Sequence, residues 1–405
     1  MAQHGILETI DQFASDLVEI RRDIHKHPET RFEEVRTAAL VAAKLREWGV
    51  EVVEGVGKTG VVGTLKGNRP GQRAIGLRAD MDALFIQEAN DFAHASTVPG
   101  KMHACGHDGH TTMLLGAARY LAGTPDFAGT VHFIFQPAEE AGTGAPAMIA
   151  DGLFERFPCD SVYGLHNSPG MPVGKFATRP GPILAGSDFW GVTFTGTGGH
   201  GGSAPHLATD ATVVLGHFLL GLQTILPRNL RPTECAALSV GHVSGGTYES
   251  PNVMPSKIVV RGTARYFRTE AQAIIRRRLE ELAKALAASH GCGARLDYEP
   301  LCPPTVNTEE KVPVAVAAAT ELVGTANVGD VPLSTGGEDF SFMLQKKPGV
   351  FMRIGNGVDA NGDFHNVHTP LYDFNDAILP LGAAYWVSLV REELGWAGED
   401  RAAAA

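Results

Sequence analysis

Apolar residues recur at helical spacing near the start of the chain (Ile6, Ile10, Phe13, Leu17, Ile20, Ile24), with charged residues between them, and the pattern stops at His27-Pro28. This predicts one helix over 6–27, closed by the proline. A second helix is predicted over 33–48, ending at Gly49. Strand-like runs follow at 60–65 and 74–78, then a helix over 108–121 and strands at 130–135 and 161–165. This βαβ-like order predicts an α/β unit over roughly the first 180 residues, with its chemistry on the loops that follow the strands.

The character changes around Arg179-Pro180-Gly181-Pro182. A strand (189–195), a Gly-rich loop, a helix (208–226), two strands (235–243, 257–267) and a helix (270–289) ending at Gly291 give the order βαββα. Two helices on one face of a small antiparallel sheet satisfy that order. At 405 residues the chain exceeds the size of a single core, so two domains are expected. If His365 in the last third shares a site with Cys105, the middle is an insertion. The expected division is then 1–183 and 296–405 as one catalytic domain, and 184–295 as an inserted α+β domain.

Composition narrows the function classes. Hydrophobic residues make up 44% of the chain, with 48 glycines and 7% aromatics, which fits a soluble α/β protein rich in tight turns. A formal charge of −11, with no basic run beyond Arg276-Arg277-Arg278, argues against nucleic-acid binding. The five cysteines are odd in number and lack CxxC spacing, so neither a disulfide framework nor a zinc finger is expected, and a reducing cytoplasm fits best. Glu8, Asp11 and Asp16 stand where a signal peptide would need an apolar core, and no window resembles a membrane span; a cytoplasmic protein with no membrane partner is expected.

The densest chemistry is Met102-His103-Ala104-Cys105-Gly106-His107-Asp108-Gly109-His110, a thiol and three imidazoles in nine residues. A lone Cys or His is usually a packing residue, but further donors follow in short segments: Glu139-Glu140, His166, and His365 and His368. Ligands at the ends of different strands are how catalytic metal sites are assembled. Cys105 and His107, two apart, project to one side if that stretch is extended. Of the adjacent carboxylates Glu139 and Glu140, one can coordinate metal while its neighbour takes a proton from water, which fits metal-assisted hydrolysis. Gly196-Thr197-Gly198-Gly199-His200-Gly201 formally matches GxGxxG, but the region 216–222 lacks the acidic residue a ribose needs. Gly57-Lys58-Thr59 lacks the first P-loop glycine, since Val52 stands there, and no GxSxG elbow occurs.

The ordered set of segments resembles the metal-dependent amidohydrolase and peptidase family of aminoacylase and carboxypeptidase type, in its hippurate hydrolase and indole-acetyl-amino-acid hydrolase branch. The resemblance runs through 21–29, Gly76-Leu77-Arg78-Ala79-Asp80-Met81-Asp82-Ala83-Leu84, the Met102 to His110 cluster, Gln136-Pro137-Ala138-Glu139-Glu140, Leu165-His166, Gly198-Gly199-His200, Asn252-Val253-Met254-Pro255, Gly337-Glu338-Asp339-Phe340 and His365-Asn366. It implies a zinc-peptidase-like three-layer catalytic domain with a ferredoxin-like inserted lid. It further implies that Cys105, His107, Glu140, His166 and His365 bind two divalent ions and that Glu139 is the general base. The lid would join two chains as a homodimer, or four as a homotetramer, with His200 reaching the neighbouring active site to polarise the scissile carbonyl. Asn252 and Arg265 match lid positions that hold the substrate. Most members carry a metal-binding His-x-Asp pair where this chain reads Arg78-Ala79-Asp80; Cys105 compensates, and Asp80 is left to support a ligand. A thiolate ligand leaves the metal open among zinc, manganese, cobalt and nickel.

The expected activity is hydrolysis of N-acyl-L-amino acids, with aromatic or short acyl groups favoured. A dipeptidase or carboxypeptidase of the same family is the alternative. A non-catalytic small-molecule binding protein would be favoured only had Glu139 been lost.

Overall fold

The computed structural model describes residues 2–358 and 361–396. The chain forms two compact units, one made of Met1–Ile183, Val306–Pro332 and Asp339–Ala405, the other of Leu184–Thr305 and Leu333–Glu338.

The first unit is built on an eight-stranded mixed sheet in the order Glu51–Val56, Gly60–Lys66, Ala128–Gln136, Arg69–Asp80, Ser161–Pro169, Gly349–Gly357, Phe176–Thr178, Val328–Asp330. Its centre is parallel: Arg69–Asp80 pairs in parallel with both Ala128–Gln136 and Ser161–Pro169, and the latter with Gly349–Gly357. Such strands are covered on both faces and read as apolar runs rather than alternating ones. In Ala128–Gln136, Val131, Phe133 and Phe135 enter the main core, while Ile134 is buried outside it. Helices Ala14–Lys26, His107–Gly123 and Leu379–Leu394 share that core. His107–Gly123 is buried almost all round and serves as its central helix.

The single helix expected over 6–27 is two, Ala2–Asp11 and Ala14–Lys26, with a turn through Phe13 at φ −125°. The apolar phase survives the break and no glycine or proline marks it. What fixes it is tertiary: Phe13 is buried, and the Arg119 guanidinium lies 4.3 Å from its ring centroid.

The second unit holds a four-stranded antiparallel sheet in the order Ala236–Gly245, Lys257–Tyr266, Gly186–Thr195, Gly293–Cys302. Trp190, Val192 and Phe194, two apart on one strand, meet Phe218 of helix Ala211–Leu222 and Ile275 and Leu279 of helix Thr269–Ser289 in one core. The fourth strand, Gly293–Cys302, carries this unit past residue 295, with Gly293 opposite Thr195. Its inward residues Ala294, Leu296 and Tyr298 alternate with exposed Arg295, Asp297 and Glu299, the two-residue period of a strand with one covered face. Among the described residues no helix is long and apolar enough to cross a membrane.

Candidate metal centre

The carboxyl ends of the three central parallel strands bring the donors together, where open α/β sheets bind their ligands. Asp80 ends Arg69–Asp80 and is paired with Gln136, which ends the next strand and leads into Glu139-Glu140; His166 lies near the end of Ser161–Pro169. Cys105 precedes helix His107–Gly123, entered through Gly106 at φ +92°. A Cβ at Gly106 would stand 2.5 Å from Tyr372 Oη and 2.7 Å from Asn167 Oδ1, so only glycine lets the ligand-bearing turn pass.

Cys105 Sγ lies 3.5 Å from His166 Nε2. Cys105, His107 and His166 form one group whose donor atoms all lie within 4.8 Å; Cys105, Glu140 and His368 form a second, and His107, Glu139 and Glu140 a third. The first two share the thiol.

Two of the imidazoles are oriented by their far nitrogen. His107 Nδ1 donates to the Asp82 carbonyl at 2.8 Å, and His166 Nδ1 to the Asn167 carbonyl at 2.7 Å, which turns both Nε2 atoms inward. His107 Nε2 is buried without a hydrogen-bond partner, 3.7 Å from Asp80 Oδ2, 3.8 Å from Glu140 Oε1 and 3.9 Å from Glu139 Oε2. These gaps are too long for hydrogen bonds, and about 3.3–3.8 Å is the separation of two ligand atoms on one tetrahedral ion with bonds of about 2.0–2.3 Å. An orphaned buried nitrogen facing three carboxylates, with a thiol alongside, fits a divalent cation.

The charges point the same way. Burial pushes the Cys105 thiol up and the Glu140 charge adds to it; burial opposes protonation of His107, yet Asp80 and Cys105 hold its pKa well above the usual imidazole value. Burial, then His110, pushes His166 well below its ordinary value. The cluster therefore demands positive charge at its centre and keeps His166 neutral, the form that binds metal.

Supporting residues lock the frame. The buried Asp82 carboxylate accepts the backbone N–H of Glu139 on Oδ1 and of Glu140 on Oδ2, both at 3.0 Å. His110 joins Asp80 Oδ1 to Asn167 Oδ1, each at 2.7 Å, and Asn167 Nδ2 donates to Tyr372 Oη at 2.6 Å. Arg78 donates to Asp80 at 2.7 Å and Gln136 at 2.8 Å.

Of the residues expected as ligands, Cys105, His107, Glu140 and His166 come together, with Glu139 beside them. His365 does not: it is exposed and lines a separate cavity of ≈ 540 Å³ with Arg22, Asp363 and Asp376. His368 stands in the expected place, its Nε2 3.3 Å from Glu140 Oε1. The physical reason is anchorage. The His368 N–H donates to the Ala104 carbonyl at 2.7 Å, and φ +64° turns its side chain toward Cys105 and Glu140, which the three-residue spacing in the sequence does not disclose. Asp82 and Asn167 were also missed as supports. The Asp80-Met81-Asp82 alternation at a strand end was the available signal. Asp80 is bound by Arg78 and His110 and shares a donor group with His107 and His110.

In the second unit, His200 and Asn252 share one small ribbon: His200 is opposite Val253, and the Gly201 N–H donates to the Asn252 carbonyl at 2.8 Å. Arg265 lies on the main sheet, donating to Thr263 and, at 3.1 Å, to the Ala264 carbonyl.

Residues 76–392 match the model of peptidase family M20/M25/M40. The chain is 38% identical to hippurate hydrolase of Campylobacter jejuni, over 96% of this chain and 100% of that protein. It is 36% identical to IAA-amino acid hydrolase ILR1-like 4 of Arabidopsis thaliana, over 95% of this chain and 87% of that one. A dinuclear metal binding peptidase of the M20 family from Bacillus subtilis superposes with a TM-score of 0.82 at 32% identity, covering 94% of this chain and 98% of its own. With the inward-facing donors and the Asp82-held carboxylate pair, these likenesses establish that the chain belongs to peptidase family M20/M25/M40 and is a metal-dependent hydrolase with a site for two divalent ions.

Proposed function

We propose that the protein hydrolyses the amide bond of N-acyl-L-amino acids with aromatic or short acyl groups, releasing a carboxylic acid and a free amino acid. The likeness to hippurate hydrolase and to IAA-amino acid hydrolase supports the substrate class. The observation that carries the chemistry is the divergence of two adjacent carboxylates: both approach His107, but Glu140 joins Cys105 and His368 in a donor group to which Glu139 does not belong.

Cys105, His107, Glu140, His166 and His368 would hold two divalent ions, zinc in our reading, with manganese, cobalt and nickel the other candidates. When bound, such ions polarise a carbonyl and make water acidic at neutral pH. Glu139 takes a proton from the attacking water as its oxygen bonds to the acyl carbon; the C–N bond breaks, and Glu139 returns that proton to the leaving amine. His200, contributed by a partner chain in a lid-mediated homodimer or homotetramer, would hold the carbonyl oxygen, and Asn252 and Arg265 the substrate's polar groups. All five cysteines are free, and a reducing cytoplasm would keep Cys105 a thiol.

The test is a panel of hippurate, indole-acetyl and N-acetyl amino acids and dipeptides, run with metal-loaded wild type and Glu139→Gln. N-acyl amino acids should be cleaved faster than dipeptides. Glu139→Gln should keep its metal but lose roughly 10²–10⁴ in turnover. Full activity in that variant would remove Glu139 from its role, and faster cleavage of dipeptides would remove the substrate assignment.

A further inference from the structure

Among the described residues, the non-glycine positions with positive φ are Phe32, Lys58, Ala138 and His368. Two of them, and the residue that follows a third, bond one carboxylate. Glu34, completely buried, accepts on Oε1 the N–H of Phe32 at 2.9 Å and of Ala138 at 3.0 Å, and on Oε2 the hydroxyl of Thr59, the residue after Lys58, at 2.6 Å. One side chain thus ties together the entry to helix Val35–Glu47, the hairpin between Glu51–Val56 and Gly60–Lys66, and the turn that carries the Glu139-Glu140 pair.

Left-handed backbone at a residue with a Cβ persists only where its surroundings fix it, and at Ala138 the fixing group is Glu34. Asp82 takes the next two amides, at Glu139 and Glu140. Three successive N–H groups therefore end on two buried carboxylates. Ala138 is itself buried, and its carbonyl accepts the N–H of Gly144 at 3.1 Å, so the peptide planes on both sides of its Cα are held. The direction in which the Glu139 side chain leaves this turn follows from the Ala138 dihedrals.

We propose that Glu34 is a positioning residue for the amide hydrolysis: by holding Ala138 in its left-handed turn it sets the reach of the Glu139 carboxylate. Its action passes through the backbone of Ala138. The turnover readout rests on the activity proposed above, whereas amide exchange does not.

Two substitutions separate positioning from bulk stability. Glu34→Ala leaves the half-buried N–H of Phe32 and the buried N–H of Ala138 without their acceptor. Glu34→Gln keeps an oxygen for both and offers its NH₂ to the Thr59 oxygen. With metal-loaded full-length protein, Glu34→Ala should lower kcat about 10–100-fold, the scale of a misplacement of about 1 Å, with KM within about threefold and metal content unchanged. Glu34→Gln should stay within about threefold of wild type. In metal-free protein, hydrogen exchange in the peptide spanning 138–140 should be at least about tenfold faster in Glu34→Ala, and unchanged in Glu34→Gln.

Wild-type exchange at 138–140 in Glu34→Ala, or wild-type kcat in it, would overturn the proposal. A Glu34→Gln variant as slow as Glu34→Ala with its amides still protected would also overturn it. Should Glu34→Ala not fold, Thr59→Val releases only Oε2; it should lower kcat by at least about threefold without changing KM, and an unchanged kcat would overturn the proposal. If wild type cleaves no N-acyl amino acid while the exchange result holds, the clamp stands and the substrate assignment fails.

Discussion

Replacing Asp82 with Asn changes one buried atom and should separate turnover from metal binding. Asp82 Oδ1 and Oδ2 accept the amides of Glu139 and Glu140 at 3.0 Å each, with 1% of the residue exposed. Asn supplies one acceptor oxygen for two donors, so whichever way its amide lies, one backbone N–H meets an NH₂ group. The lost charge-assisted bond and the orphaned donor together cost on the order of 3 kcal/mol of stability. Displacement of the turn should cost roughly 10²-fold in kcat. His107, by contrast, is held chiefly by the Asp82 backbone carbonyl at 2.8 Å, which Asn retains, rather than by Oδ1 at 3.3 Å. Metal affinity should then fall by no more than about tenfold, the low end for a lost supporting partner. Steady-state kinetics on hippurate, paired with chelator competition, reads both quantities. A kcat within twofold of wild type, or a loss lying entirely in metal affinity, would refute the reasoning.

Two other substitutions follow from the site. His368→Ala should lose metal and activity together, while His365→Ala should retain both, since His365 lies outside the donor groups; the reverse result in metal analysis would restore His365 as the ligand. Burial alone would lower the pKa of His25, but Asp108 at 2.8 Å and Glu88 at 3.2 Å outweigh it and raise the pKa to about 9. The folded value therefore lies above the unfolded one, near 6.5. Stabilisation on the order of 3 kcal/mol is fully present below about pH 6.5 and is lost as pH rises through about 9. Thermal melts across that window should show the loss in wild type and much less of it in His25→Asn; identical slopes would count against the pairing.

How much of this was legible beforehand depended on whether the signal was local. The strands Gly60–Lys66 and Ala128–Gln136 and the helix His107–Gly123 follow from apolar runs and periodicity, and the Cys105/His107 and Glu139/Glu140 pairs are visible as motifs. What escaped depends on distant partners. The break at Phe13 follows from packing against Arg119, a residue over a hundred positions away. His368, rather than His365, is brought to Cys105 by a hydrogen bond to Ala104, and Asp82 and Glu34 make their contacts to backbone amides that carry no side-chain signature. The strand Gly293–Cys302 has a local signal in the alternation from Ala294 to Glu299; its register opposite Gly186–Thr195, which ties it to the second unit, has none.

Metal content bears most directly on the centre itself. Full-length wild-type protein, reconstituted with zinc and freed of loosely held ions, should carry two divalent ions per chain, and Cys105→Ala should lose both tight metal binding and turnover because the thiol belongs to two of the three donor groups described above. Active wild-type protein without a bound transition ion, or a Cys105→Ala variant with its full complement of metal, would contradict the assignment.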